Sequence, residues 1–328
     1  MTKTDAIRWA AGLSVGTLLV AATSPLFVRS YLPREIDPIR EVAVLKPHAT
    51  YRWRSEGYAT TKLGPHGMFG VDSVRNDAQT TVALWGDSQA EGACVSDREK
   101  IASQVSRFSN GTIQVLSMAR SGDDCNDWIA QVPRVESRLG VDAHVFLVTE
   151  FSDWSVPSEE PIETVDPRSN WVAQSLPDFL VQAARNVATT GTESKTRELR
   201  FTPGPVRRGD TNTVDTEGSP EDSASMLAMN VARLEAVSKR PCVFLLAVQH
   251  PGTAPVASAQ SAFETVLLSQ SSRFQPIDVA SRLSPARAGF ATRGFHNGHI
   301  GEGHFNAAGN RIIADSIVES LRDVTRVD

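Results

Sequence analysis

The tripeptide Gly86-Asp87-Ser88 follows directly on the apolar run Val82-Ala83-Leu84-Trp85. A run of that length suits a buried strand, and the glycine ends it. A helix opening a few residues later sets the Ser88 hydroxyl at the carboxyl end of the strand, where open α/β sheets keep their ligand crevice. Strand-like runs recur at 81–85, 113–117, 144–149, 242–249 and 275–279. Helical spacing lies between the early ones: Ile101, Val105 and Phe108 after the first, Trp128, Ile129, Val132 and Val135 after the second. Alternating strands and helices predict an α/β fold with a central parallel sheet covered on both faces. The near-continuous apolar strands agree with burial on both sides.

A second segment, Gly303-His304-Phe305-Asn306-Ala307-Ala308-Gly309, opens a final amphipathic helix with Ala308, Ile312, Ile313, Ile317 and Leu321 on one face. A serine early and a histidine late can meet across the top of one sheet as a nucleophile–base pair. With the Ser121-Gly122-Asp123 loop between them, these blocks resemble the SGNH (GDSL-type) hydrolases, over roughly residues 64–320. That family holds esterases, lipases, carbohydrate deacetylases and acyltransferases. The resemblance implies a three-layer sandwich of flavodoxin-like order, Ser88 as nucleophile and His304 as base. It also implies the backbone N–H groups of Ser88 and Gly122 as oxyanion donors.

The chain departs from the family pattern at two places. The third oxyanion donor of the family is an asparagine after the third strand, where this chain has Glu150-Phe151-Ser152-Asp153. Ser152 takes that position, and Asn126 is a second candidate from the neighbouring loop. The triad acid of the family lies three residues before the histidine, which here is Gly301. Glu302, two residues before, is the expected acid, and a Ser–His dyad is the alternative. Asp87 reads as a capping carboxylate. Trp154 and Trp171 are candidate sugar platforms, although tryptophans more often belong to a core.

Net charge is −5 and no long basic run exists, which points away from nucleic acid as a partner. The hydrophobic fraction of 41% is that of a folded globular protein. After an N-terminal tail at 1–8, residues 9–28 contain no charge; twenty such residues reach the length of a membrane-spanning helix, with a cleaved signal peptide as the rival reading. Residues 29–63, broken by Pro33, Pro38 and Pro47, read as a membrane-proximal linker. Residues 64–328 form the hydrolase-like domain, with an insertion at about 151–238 whose stretch 190–222 reads as a loop or disordered flank.

Cys94, Cys125 and Cys242 lack metal-ligand spacing. A Cys94–Cys125 disulfide and two free thiols are equally compatible with the spacing, and Cys242 reads as core. His296, His299 and His304 have none of the spacings of a known histidine metal motif, so no metal and no cofactor is expected. The leading function is an O-acyl esterase or transferase, with acetyl the expected group, acting on a cell-envelope carbohydrate from an extracytoplasmic, membrane-anchored domain. A non-catalytic SGNH-like module that binds glycan or a partner is the alternative, and a soluble lipase-like enzyme comes third.

Overall fold

A computed structural model describes residues 2–75, 77–159, 165–190, 220–248 and 254–324. Helix α1 spans Lys3–Phe27 and begins with a capping box in which the Thr2 and Asp5 side chains satisfy each other's backbone N–H. None of its residues is buried. Strands β1 (Arg34–Ile36) and β2 (Ala43–Leu45) form one antiparallel pair, and β3 (Thr50–Arg52) and β4 (Thr60–Lys62) another. The segment expected as a linker is therefore folded. Tyr51 and Leu63 are buried in a small cluster with Phe69 and Ala93, so its apolar residues are those of a packed hairpin rather than a tether.

The main sheet comprises β5 (Thr80–Trp85), β6 (Ile113–Ser117), β7 (Ala143–Val148), β8 (Cys242–Leu246) and β9 (Phe274–Asp278). Its order is β6-β5-β7-β8-β9 and every pairing is parallel. The connecting helices are α2 (Ser88–Glu91), α3 (Ile101–Phe108), α4 (Cys125–Leu139), α5 (Pro167–Ser175), α6 (Asp178–Thr190), α7 (Pro220–Val237) and α8 (Ala254–Gln270). Three more follow β9: α9 (Ala280–Leu283), α10 (Pro285–Ala288) and α11 (Ala307–Val324). Helices α3 and α11 pack together, while α4, α7 and α8 pack as a second group. Right-handed crossovers place these groups on opposite faces, giving three layers. The strand order reverses direction at β5, and that switch point is where Ser88 stands.

Strands β6, β7 and β8 are buried along their whole length, in keeping with their near-continuous apolar runs, and Gln114, Ser117 and His144 are buried with them. Trp154, one candidate sugar platform, is fully buried against Trp128, Phe146, Phe244 and Phe263. It belongs to the core, because the turn after β7 folds it back under the sheet. Trp171 remains 63% exposed. Most of the stretch 190–222 lies outside the described residues.

Helix α6 carries its polarity inside out. Asp178 pairs with Arg52, and Gln182 accepts from the Tyr31 hydroxyl at 2.6 Å, so polar groups fasten α6 to the N-terminal hairpins. Leu180, Ala183, Ala184 and Val187, at helical spacing on another face, are exposed. Helix α1 touches α6, and Trp9, Leu13 and Val20 line an apolar groove with Phe179 and Leu180.

Candidate active site

Three elements deliver the site. At the end of β5, Asp87 caps α2 by accepting the Gln89 N–H at 2.8 Å, which leaves Ser88 as the first residue of the helix. Gly92 closes α2 in the left-handed region. The buried ammonium of Lys100 then donates to the Gly92 and Val95 carbonyls at 2.6 and 2.8 Å, fixing the turn beneath the serine. Burial lowers the Lys100 pKa from 10.5 to about 8.

His304 is held from the far end of the chain. The Phe305 N–H donates to Gln89 Oε1 at 3.0 Å, and the Phe305 ring is buried. Asn306 caps α11 by accepting the Ala308 and Gly309 N–H groups. His304 Nε2 lies 3.0 Å from Ser88 Oγ. The structure thus brings this serine and histidine to hydrogen-bonding distance.

The carboxylate on the imidazole is Glu56. Its Oε2 is 2.7 Å from His304 Nδ1, and its Oε1 accepts the His304 backbone N–H at 3.0 Å. A carboxylate only accepts, so Nδ1 carries the proton and Nε2 is left to accept from the serine hydroxyl. Glu302, the expected acid, is exposed and makes no bond to the ring. The loop 301–303 turns through left-handed backbone at Gly301 and Gly303, which carries Glu302 outward. A Cβ at Gly303 would stand 2.3 Å from Glu56 Oε1, so the glycine is what allows that carboxylate to reach the ring.

Glu56 sits in the turn between β3 and β4. Asn297 clamps this turn, donating to the Ser55 carbonyl at 2.6 Å and accepting the Gly57 N–H at 3.0 Å. Sequence reasoning points to neither Glu56 nor Asn297. The available signal is local: the short alternating stretches on either side of Ser55-Glu56-Gly57 have the form of a hairpin rather than a linker.

Among the described residues, the backbone N–H groups of Ser88 and Gly122 donate to no protein acceptor, and both residues line the same crevice. They are available to an oxyanion. Ser152 is not among the residues that line that crevice. It is exposed on the turn after β7, with its hydroxyl 3.4 Å from Glu150 Oε2. Asn126 is also committed elsewhere: its amide donates to the Pro157 carbonyl and accepts from Arg233. His296 and His299 are exposed and form no ligand cluster with His304 among the described residues. The three cysteines are buried free thiols, and burial pushes Cys94 and Cys125 up to about 12.

The crevice encloses about 880 Å³. Its walls bring Tyr31, Trp53, Arg34 and Glu91 to the Ser88–His304 pair. Burial raises the Glu91 carboxyl from 4.5 to about 7, with Lys100 and Arg29 opposing the shift. A raised carboxyl is protonated in the folded chain and ionised in the unfolded chain across that window. The stability it leaves intact below pH 4.5 is therefore lost as pH rises to about 7. Glu91→Gln is expected to flatten the fall of the melting temperature over this range and to make the protein more stable above it, by roughly 1–3 kcal/mol. Thermal unfolding across pH checks this, and parallel curves for variant and wild type would exclude it.

The serine hydroxyl, imidazole and carboxylate stand in the order of a nucleophile–base–acid relay. No family model matches the chain, and no curated protein matches it. Similar solved structures include the psychrotrophic esterase EstA from Pseudoalteromonas sp., with 8% identity and a TM-score of 0.41 over 75% of this chain and 99% of that one. A catalytic mutant of Axe2, an acetylxylan esterase from Geobacillus stearothermophilus, has 10% identity and a TM-score of 0.39 over 74% and 94%. A carbohydrate acetylesterase family member from Sinorhizobium meliloti has 12% identity and a TM-score of 0.36 over 74% and 97%.

Proposed function

We propose that this protein is a serine O-acyl esterase or acyltransferase of the SGNH type, acting on acetyl or similarly small acyl esters of a cell-envelope carbohydrate. The observation that carries the reading is the unbroken chain from Ser88 Oγ through His304 to Glu56. Ser88 Oγ attacks the ester carbonyl as Nε2 takes its proton. Glu56 holds the proton on Nδ1 and balances the imidazolium that forms. The Ser88 and Gly122 N–H groups receive the developing oxyanion. The collapsing intermediate expels the alcohol, which takes the proton back from Nε2, and the acyl-serine passes to water or to a second hydroxyl.

A crevice of about 880 Å³ is roomier than one acetyl group needs. Trp53 and Tyr31 offer ring surface on its walls, where a sugar can lie. Support for a membrane anchor comes from α1, in which an 18-residue stretch has a mean hydropathy of 1.6 and is not buried in the fold. Its 25 residues extend about 37 Å, enough for a hydrocarbon core of about 30 Å. The outward apolar face of α6 beside α1 suits a domain resting on the bilayer.

The purified chain is expected to hydrolyse an activated acetyl ester and to be inactivated by a reactive alkylphosphonate. Mass spectrometry should then find one phosphonyl group on the peptide holding Ser88. A labelled peptide lacking Ser88 would sink the nucleophile assignment. Neither turnover nor labelling would favour the glycan-binding module, for which the missing family asparagine and aspartate are the motive.

A further inference from the structure

Cys94 has no part in the chemistry above, yet it faces it. Its Sγ, a Glu56 carboxylate oxygen and a His304 ring nitrogen all lie within 4.8 Å of one another. The thiol is unpaired and makes no hydrogen bond among the described residues, and Cys94 lines the crevice beside Ser88 and His304. The three positions are fixed independently. The Glu56 turn is clamped by Asn297, and it presses so closely on the segment holding Cys94 that a Cβ at Gly57 would lie 2.1 Å from the Cys94 carbonyl oxygen.

We infer that Glu56, Cys94 and His304 form an inhibitory site for a thiophilic divalent cation of the Zn²⁺ type. One sulfur, one imidazole nitrogen and one carboxylate oxygen make the donor set that zinc takes, and a fourth position faces the crevice for water. A tetrahedral ion with ordinary zinc bond lengths holds its ligand atoms roughly 3.4 Å apart, so the side chains close in by about an ångström or a little more. Magnesium and calcium prefer all-oxygen shells and have no use for the thiol.

Binding and catalysis exclude each other. The nitrogen facing Glu56 is Nδ1, so the ion takes the lone pair where the Nδ1 proton now sits. That proton moves through solvent to Nε2, and the Cys94 thiol releases its proton to water. The ring ends neutral and metal-bound, with Nε2 now a donor that cannot accept the Ser88 proton. Glu56 is drawn from hydrogen-bonding the ring to ligating the ion. The inhibition rests on the serine-hydrolase reading, whereas the binding itself does not.

The test uses the full chain with its thiols reduced. Titration with Co²⁺ is expected to produce a thiolate-to-cobalt charge-transfer band that Zn²⁺ displaces. Ser88→Ala, which lacks the nucleophile, should keep the band, while Cys94→Ala should lose it and Glu56→Gln should weaken binding at least about tenfold. Zn²⁺ should inhibit ester turnover of the wild type, a chelator should restore it, and Mg²⁺ should do neither. Cys94→Ala and Cys94→Ser should keep turnover while their sensitivity to Zn²⁺ falls roughly 100-fold. The two replacements bracket the size and polarity of the thiol, and circular dichroism confirms that each is folded.

No band in the wild type would overturn the site. So would a band that survives in Cys94→Ala, since Cys125 and Cys242 remain there. A band with undiminished turnover would overturn the inhibition. A band in a wild type that never turns over would leave the cation site standing and refute the esterase reading alone.

Discussion

Glu56→Gln is expected to lower kcat by about 10^4-fold with little change in KM, the scale on which loss of the orienting carboxylate is felt in a serine protease triad. The argument lies in the two bonds that Glu56 makes. Its Oε1 accepts the His304 backbone N–H, a group that can only donate. A glutamine in the same place must keep its amide oxygen there and turn its NH₂ toward Nδ1. Nδ1 then has to accept, the ring proton moves to Nε2, and the tautomer is wrong for taking the serine proton. Steady-state kinetics on an activated acetyl ester measures the effect, with Glu302→Gln as the companion. That substitution should be silent, because Glu302 is exposed and does not touch the ring. A Glu56→Gln enzyme within about tenfold of wild type, or a Glu302→Gln enzyme with the large defect, would remove Glu56 from the triad.

The central sheet is legible in the sequence because its strands are buried on both faces. Apolar runs such as Cys242–Leu246 leave few alternatives once helical spacing separates them. The observed strand ends fall within a few residues of those runs. Ser88 and His304 are legible for a related reason. Each sits at the start of a helix, Ser88 as the first residue of α2 and His304 three residues before α11, where Asp87 and Asn306 mark the boundary in the sequence itself.

Glu56 is not legible. It lies 248 residues before His304, in a turn between three-residue strands whose pattern marks a hairpin but not what its turn touches. Only tertiary packing brings it to the ring. Prolines at 33, 38 and 47 suggest a tether, but they flank hairpins that bury Tyr51 and Leu63. Gly303 carries the clue in a form that the sequence does not disclose. Its missing side chain is the space that a carboxylate from elsewhere occupies. The apolar residues Leu180, Ala183, Ala184 and Val187 of α6 would suggest a core-facing helix. Their helical spacing is genuine, but the face they form points outward while Asp178 and Gln182 hold the helix to the domain.

Ser88→Ala is expected to reduce kcat by about 10^6-fold, the loss seen when the nucleophile of a comparable triad is removed. The remaining activity should be indifferent to the rest of the triad. Without Oγ, Nε2 has no proton to take, so the tautomer that Glu56 enforces no longer matters to acyl transfer. The double variant Ser88→Ala/Glu56→Gln should therefore turn over no more slowly than Ser88→Ala alone, although the single effects multiplied would predict a further factor of about 10^4. What survives is the contribution of the Ser88 and Gly122 N–H groups and of substrate binding in the crevice, which alanine at position 88 leaves in place. Measuring all four enzymes with one ester separates the possibilities. Additive losses would mean that Glu56 acts on something other than His304, such as the fold of the β3–β4 turn. Equal floors would identify Ser88, His304 and Glu56 as one catalytic unit assembled from the two ends of the chain.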